Sequence, residues 1–426
     1  MHEANQGSGA PEVPAEDTPG PPPEPWREPV PGPGLPPAPW SGVPPGPPAR
    51  RSEPAPWSET GSVSPAPWSE TTPTPPAAAA PSGPPPGQRG LRVWTVLVAG
   101  VGIGALAIGQ AELAALAAVA GLFAVAQAAD LNPRFQLLHT LVAWVVPLGG
   151  AATFATLAMD LGQADRPGPT RGLAVAVAIL GGLASLVTLA GPLARALAST
   201  LFRVRPASHT LALASRLFLF GLLLCVPGHF GFESVFGTDA LPVESLLGAG
   251  SLWAGLMGFG LLALGGVGFL VRRDAKSTLE RLGLRPLRPA HLVVIALGVA
   301  ALFTLNSGAE SLERTRFPAL WESDQRVNRM LVSGLGRGET LLLGLSAGIG
   351  EEVALRGALQ PRLGLVPTSV LFAALHVQYS WLGMAVILLL GMLLGWIRRR
   401  TSTTVAIAVH ALYDILAVVT TPPIGS

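Results

Sequence analysis

From Leu91 onward the chain is a succession of long apolar runs of Leu, Ala, Val and Gly, broken by short polar stretches. Several runs reach the ~18–20 residues that carry an α-helix across ~30 Å of hydrocarbon. Backbone N–H and C=O groups find no water at that depth, so helices that bond internally are the default crossing element. The runs predict helices over 91–108, 111–129, 137–157, 172–192, 210–227, 246–271, 290–306, 341–360, 367–379, 381–397 and 402–420. The expected fold class is all-α: a multi-pass transmembrane helical bundle of about eleven helices, plus or minus two, preceded by a disordered Pro-rich N-terminal tail.

Before Leu91 the pattern is of another kind. Residues 1–89 hold most of the 43 prolines and repeat a short unit: "PEPWRE" at Trp26, "PAPWSG" at Trp40, and "PAPWSET" at Trp57 and again at Trp68. Proline at this density fixes φ, removes backbone donors and favours extended polyproline II, which builds no core. The plain reading is a semi-rigid disordered linker. The functional reading is a ligand for a partner with an aromatic-lined groove, anchored by the tryptophans.

Composition agrees with a membrane protein: 49% of residues are hydrophobic and 13% charged, against roughly 25% charged in soluble domains. A formal net charge of +2 gives no reason to expect a nucleic-acid partner. The single cysteine, Cys225 in "LFLFGLLLCVPG", excludes an intrachain disulfide framework. No signal peptide is expected, because the start lacks a basic segment followed by an early apolar one.

Lys and Arg in short loops set orientation. One cluster is Arg272, Arg273, Lys276, Arg281, Arg285 and Arg288; a second is Arg398, Arg399 and Arg400. The loop 228–245 carries Glu233, Asp239 and Glu244 and no base. Both basic clusters lie in the cytoplasm if an even number of crossings separates them, and the spans 290–306, 341–360, 367–379 and 381–397 satisfy that. The N-terminal tail is then cytoplasmic and the C-terminus outside; Arg166 and Arg171 oppose this arrangement. The expected location is a bacterial-type plasma membrane.

Ionisable side chains inside crossing helices cost ~2.5–3.5 kcal/mol on insertion scales and face partners or polar cavities. Between Leu341 and Leu359 they are Glu351, Glu352 and Arg356; His376 sits in "VLFAALHVQYS", and His410 with Asp414 in "TVAIAVHALYDILAVV". The spacing of four puts His410 and Asp414 on one helical face, and Glu352 and Arg356 on another as an ion pair. Glu351, His376 and His410 each lie about eight or nine residues from the cytoplasmic end of their span, roughly 12–14 Å deep. They are expected to meet in one hydrated pocket open toward the cell interior. A carboxylate and two imidazoles there can deprotonate water and stabilise an oxyanion, as acyl hydrolysis requires. Two His with acids can instead hold a metal that acidifies water. The HExxH zinc pattern is absent, and "GLSAG" (344–348) matches the letters of G-x-S-x-G only inside an apolar helical run, not at the strand-to-helix turn a serine elbow needs, so a serine elbow is not indicated.

"EEVALR" (351–356), "FAALH" (372–376) and "HALYD" (410–414) resemble the EExxxR, FxxxH and HxxxN/D motifs of the CPBP intramembrane proteases, a family that includes type II CAAX prenyl endopeptidases and bacteriocin-processing or immunity relatives. The resemblance divides the chain into the tail 1–89, additional N-terminal transmembrane helices 90–289, a protease-like core 290–421 and a short tail 422–426. It implies an endopeptidase that cuts a peptide or protein substrate at the bilayer. Glu351 would activate water, His376 would hold or polarise it, and His410 and Asp414 would face the oxyanion, with Glu352 and Arg356 as a structural pair. Many relatives have Asn at the last position, where an amide donates; Asp414 donates only when protonated, and ionised it favours a metal. Activated water needs no cofactor. Zinc held by His376, His410 and Glu351 is the alternative mechanism, and a non-catalytic scaffold or bacteriocin-immunity-like protein the alternative function.

Other features carry less. "GVGIG" (100–104) reads as close helix packing and "GLGRGE" (334–339) as a flexible loop. His139, His209, His229 and His291 are expected at interfaces, and Glu112 has no assigned role. The segment 308–340 reads as an amphipathic helix on the membrane bordering the active site.

Overall fold

In the computed structural model, which describes residues 87–163, 169–204, 208–236, 248–332 and 335–420, every apolar run is helical, and no strand occurs among the described residues. The Pro/Trp repeats lie outside the described residues, as do Arg166, Asp239, Glu244 and the last six residues. In chain order the helices are α1 (Gln88–Ala107), α2 (Ala111–Leu131), α3 (Gln136–Val142), α4 (Val145–Gln163), α5 (Pro169–Val187), α6 (Gly191–Phe202), α7 (His209–Phe236) and α8 (Ala249–Val267). There follow α9 (Ala275–Leu282), α10 (Pro289–Arg316), α11 (Pro318–Val332), α12 (Arg337–Glu351), α13 (Gln360–Leu363), α14 (Leu365–Ala374), α15 (Trp381–Arg400) and α16 (Thr403–Thr420). A π-helical stretch, Glu352–Leu359, joins α12 to α13.

Among the described residues eight helical segments are long and apolar enough to cross a membrane, and α5 with α6, bent by 107°, makes a ninth. The other two expected spans are those that carry Glu351 and His376. The first is divided between α12 and the π stretch. The second shrinks to α14, so His376 falls in the turn beyond the helix end rather than inside a helix over 367–379. Two side chains impose that stop. The His376 Nδ1–H donates to Phe372 O at 2.7 Å, taking a last-turn carbonyl out of the ladder, and Ser380 Oγ caps the next helix by accepting from Gly383 N at 3.0 Å. Elsewhere α7 runs past the expected end at 227 to Phe236, with Pro227 inside it, and α10 runs on to Arg316. Helix α8 stops at Val267 because Gly268, at φ +81°, caps it in the left-handed conformation.

Close backbone approach fixes the centre of the bundle. Gly344 and Gly348 lie one turn apart on α12 where α16 crosses: a Cβ on Gly348 would fall 2.7 Å from both N and Cβ of Ala411, and one on Gly344 would fall 2.5 Å from Ile415. Helix α8 runs beside α12, and Ser346 Oγ donates to Leu252 O at 2.6 Å. Helices α10 and α15 complete the wall through Ile295, Leu302, Leu394, Ile397, Val405 and Val409. The helices before residue 289 belong to the same body, since Ala263 and Val267 of α8 and Leu282 of α9 share a core with Val353 and Ala354.

One arginine of the first basic cluster also braces the helix that carries Glu352. Arg281 on α9 donates through Nη1 to Gly357 O at 3.0 Å and through Nη2 to Ala358 O at 3.1 Å. The wider π turn leaves such carbonyls short of helical partners, and the guanidinium supplies donors. Burial and neighbouring arginines lower the Arg281 pKa to about 10.

Gly348→Val is therefore expected to force α12 off α16 and destabilise the protein by ~1–3 kcal/mol. Thermal unfolding in detergent checks this, with Gly102→Val as the comparison, since a Cβ there meets nothing within 4 Å.

Candidate active site

The change from α- to π-helix at residues 351–352 sends two adjacent carboxylates to different places. Glu352 is fully buried: Oε1 accepts from His410 Nδ1–H at 3.1 Å, and Oε2 lies 3.5 Å from Arg356 Nε. Arg356, equally buried, donates through Nη2 to Gly391 O at 3.2 Å and stacks its guanidinium carbon 4.6 Å above the Phe372 ring. The Glu352–Arg356 pair is the one expected from the spacing. Its link to His410 was not expected; nothing in the local sequence marks it, because it depends on how closely α12 and α16 cross.

Phe372 is the hub of the site. Besides Arg356, its ring meets His376 at 4.7 Å and His410 at 6.1 Å between centroids, both edge-on. The His376 Nδ1–H is held by Phe372 O, so a neutral His376 carries its lone pair on Nε2. On the far side of the His410 ring, Nε2 lies 3.4 Å from Asp414 Oδ2. Glu351, His376, His410 and Asp414 all line one cavity of about 770 Å³, whereas Glu352 and Arg356 lie behind its wall.

The segment expected to border the site does so as α11, which crosses the cavity and is bonded to the turn after His376. Asp324 Oδ1 accepts from Ser380 N at 2.6 Å and Oδ2 from Ser380 Oγ at 2.7 Å; Tyr379 Oη donates to Asn328 Oδ1 at 2.8 Å. Burial pushes the Asp324 carboxyl above the usual range, against the hydrogen bonds from Ser380 that pull it down. From α7, His229 Nδ1–H donates to Val377 O at 2.9 Å and its ring packs 4.4 Å from Trp381. His229 is thus part of the support for the His376 turn rather than an interfacial residue. His139, also expected at an interface, is buried against the His209 ring. The polar run "ESDQRVN" (322–328) marks α11 in the sequence, but its partners lie some fifty residues away, out of reach of any local pattern.

The cavity does not face the arginine clusters. Its lining runs from Glu351 to the N-terminal ends of α2, α8 and α15 and the C-terminal ends of α10 and α16, through Glu112, Ser251, Gly383, Glu313 and Thr420. The clusters at 272–288 and 398–400 sit at the opposite helix ends. This corrects the expected opening toward the side of the basic loops, and it gives Glu112 a place at the rim. Counting depth from one helix end could not decide which end was walled off.

For zinc, the donor set does not fit as arranged. Among the described residues no three His, Cys, Asp or Glu side chains converge as a metal site, and both nitrogens of His410 face carboxylates. No step below is routed through a metal.

Residues 337–416 match the sequence model of the family described as Type II CAAX prenyl endopeptidase Rce1-like. The matched segment holds Glu351, Glu352, Arg356, His376, His410 and Asp414, and the family so described is one of endopeptidases. The uncharacterized protein YpbD of Bacillus subtilis (strain 168) is 26% identical over 157 residues, which cover 36% of this chain and 80% of YpbD. No solved structure matches the chain. With its apolar helices and this similarity, the protein is an integral membrane protein.

Glu352→Gln, which keeps the shape but removes the charge facing Arg356 and His410, is expected to cost ~3–5 kcal/mol, the penalty of leaving a buried partner uncompensated. A lowered melting temperature in detergent, larger than that of the exposed Glu322→Gln, checks it.

Proposed function

We propose that the protein is an intramembrane endopeptidase in which Glu351 activates the attacking water. The observation that carries this reading is that Glu351, His376, His410 and Asp414 converge on one cavity while the second glutamate is sealed behind it. No side chain among the described residues hydrogen-bonds Glu351, which leaves both oxygens for water. In this mechanism Glu351 removes the proton as the water oxygen attacks the peptide carbonyl. His376 Nε2 accepts the water's other hydrogen and fixes its direction. His410, held at Nδ1 by Glu352, turns Nε2 toward Asp414 and the cavity; a proton between that nitrogen and Asp414 faces the developing oxyanion. Glu351 then delivers its proton to the leaving amine. Leu302, Phe303, Leu343 and Leu390 give the cavity an apolar wall for an apolar side chain or a lipid-modified one, in keeping with the prenylated CAAX ends named for the family.

Positive-inside orientation puts the arginine clusters and the N-terminal tail in the cytoplasm and the cavity mouth on the outer face. The substrate is then a peptide segment at the outer leaflet of a plasma membrane. The Pro/Trp repeats of the tail then suit a separate cytoplasmic partner with an aromatic-lined groove.

Glu351→Gln is expected to lower turnover of a cleaved peptide by ~10²–10⁴-fold, the range for removing a general base, with melting temperature unchanged. Turnover equal to wild type would remove Glu351 from the mechanism. Orientation is checked in cells with Cys225 replaced by Ala: a membrane-impermeant thiol reagent is expected to label Glu322→Cys on α11 and to spare Lys276→Cys on α9. The opposite labelling would place the mouth on the cytoplasmic face.

A further inference from the structure

Six carboxylates line the cavity, those of Glu112, Glu310, Glu313, Asp324, Glu351 and Asp414, and no Lys or Arg among the described residues does. Most are accounted for. Glu351 and Asp414 belong to the reaction, and Asp324 is taken up by Ser380. Glu310 Oε1 accepts from Gln325 Nε2 at 3.1 Å and from Trp321 Nε1 at 3.4 Å. Glu112 is exposed at the rim. Glu313 is different: it is only 6% exposed, lines the cavity, and its Oε1 has no hydrogen-bond partner.

A buried carboxylate oxygen without a donor costs free energy that a partner would return. No Lys or Arg among the described residues lines that wall, and three acidic side chains, Glu310, Glu313 and Asp324, face it from α10 and α11. A metal ion is not the matching ligand, since no three ligating side chains converge among the described residues. A single ammonium or guanidinium is: it carries one charge, several N–H donors and a long apolar stem. Leu302, Leu331 and Val332 line the same cavity and can cover that stem while the head reaches the carboxylate.

We propose that Glu313 is the floor of a specificity pocket that receives a Lys or Arg side chain of the peptide substrate. The proposal rests on the peptidase reading for the identity of the ligand, and on the unpartnered buried carboxylate for the site itself. The pocket selects basic peptides by charge, while Glu351 and the histidines cut them. Glu310 holds α11 in place through Gln325 and Trp321, so that the pocket keeps its shape when empty.

Two measurements on the full-length protein in lipid nanodiscs test this. In the first, wild type, Glu313→Gln and Glu313→Lys digest a random-sequence peptide library, and cut sites are read by mass spectrometry. Wild type is expected to enrich Lys or Arg at one fixed position relative to the cut. In Glu313→Gln the ratio of basic to neutral sequences cut should fall by about tenfold or more, and Glu313→Lys should turn the preference at that position to Asp or Glu. Cleavage with no basic preference, or with the preference intact in Glu313→Gln, overturns the proposal.

The second measurement does not depend on cleavage. n-Butylguanidinium is expected to raise the melting temperature of wild type and of Glu351→Gln, and to leave Glu313→Gln unmoved. Equal stabilisation of Glu313→Gln, or none of wild type, overturns the cation pocket. If the library stays uncut while butylguanidinium acts through Glu313, the peptidase reading fails and the pocket stands.

Discussion

A carboxylate with no access to water, wedged between a guanidinium and an imidazole, is the constraint on which the rest of this structure depends. Glu352 would be intolerably placed without Arg356 and His410, and each of those would be equally misplaced without it. The three come from two different segments, so their mutual need ties the π stretch to α16. Arg356 extends the tie to α15 through Gly391 O and to α14 through the Phe372 ring. Four elements around the cavity, the π stretch, α14, α15 and α16, are thus referred to one buried charge.

Two backbone features make the buried group possible. Glycines at 344 and 348 let α16 approach α12 until side chains one turn further on can touch. The π stretch begins at Glu352, which turns inward while Glu351, the last residue of α12, stays on the cavity wall. That distortion leaves carbonyls exposed, and Arg281 from α9 covers them. A basic loop that orients the protein in a membrane is, at the same time, part of the support of its reactive centre.

The cavity has two chemically distinct walls. One carries Glu351, His376 and the His410–Asp414 pair. The other is built from α10 and α11, whose acids are partly committed to holding α11 against the turn 376–380. Because α11 is bonded to the same turn that carries His376, the two walls are mechanically joined. This coupling is a consequence of α14 ending early. Had the helix run to 379, Ser380 could not have reached Asp324 while capping α15.

The sequence by itself determined the all-helical membrane fold and most of its crossing segments, and it singled out Glu351, Glu352, Arg356, His376, His410 and Asp414 as the ionisable residues of the last apolar runs. Those conclusions follow from local physics: hydrocarbon tolerates a charge only where it has a use or a partner, and spacing along a helix places neighbours three and four residues apart. Tertiary structure alone decided that Glu352 holds His410, that His376 sits beyond a helix end, and that the mouth lies opposite the arginines. Each of these turns on contacts between residues far apart in the chain, such as Glu352 with His410 or Asp324 with Ser380, whose distances are set by helix crossing and helix phase rather than by any run of neighbouring residues.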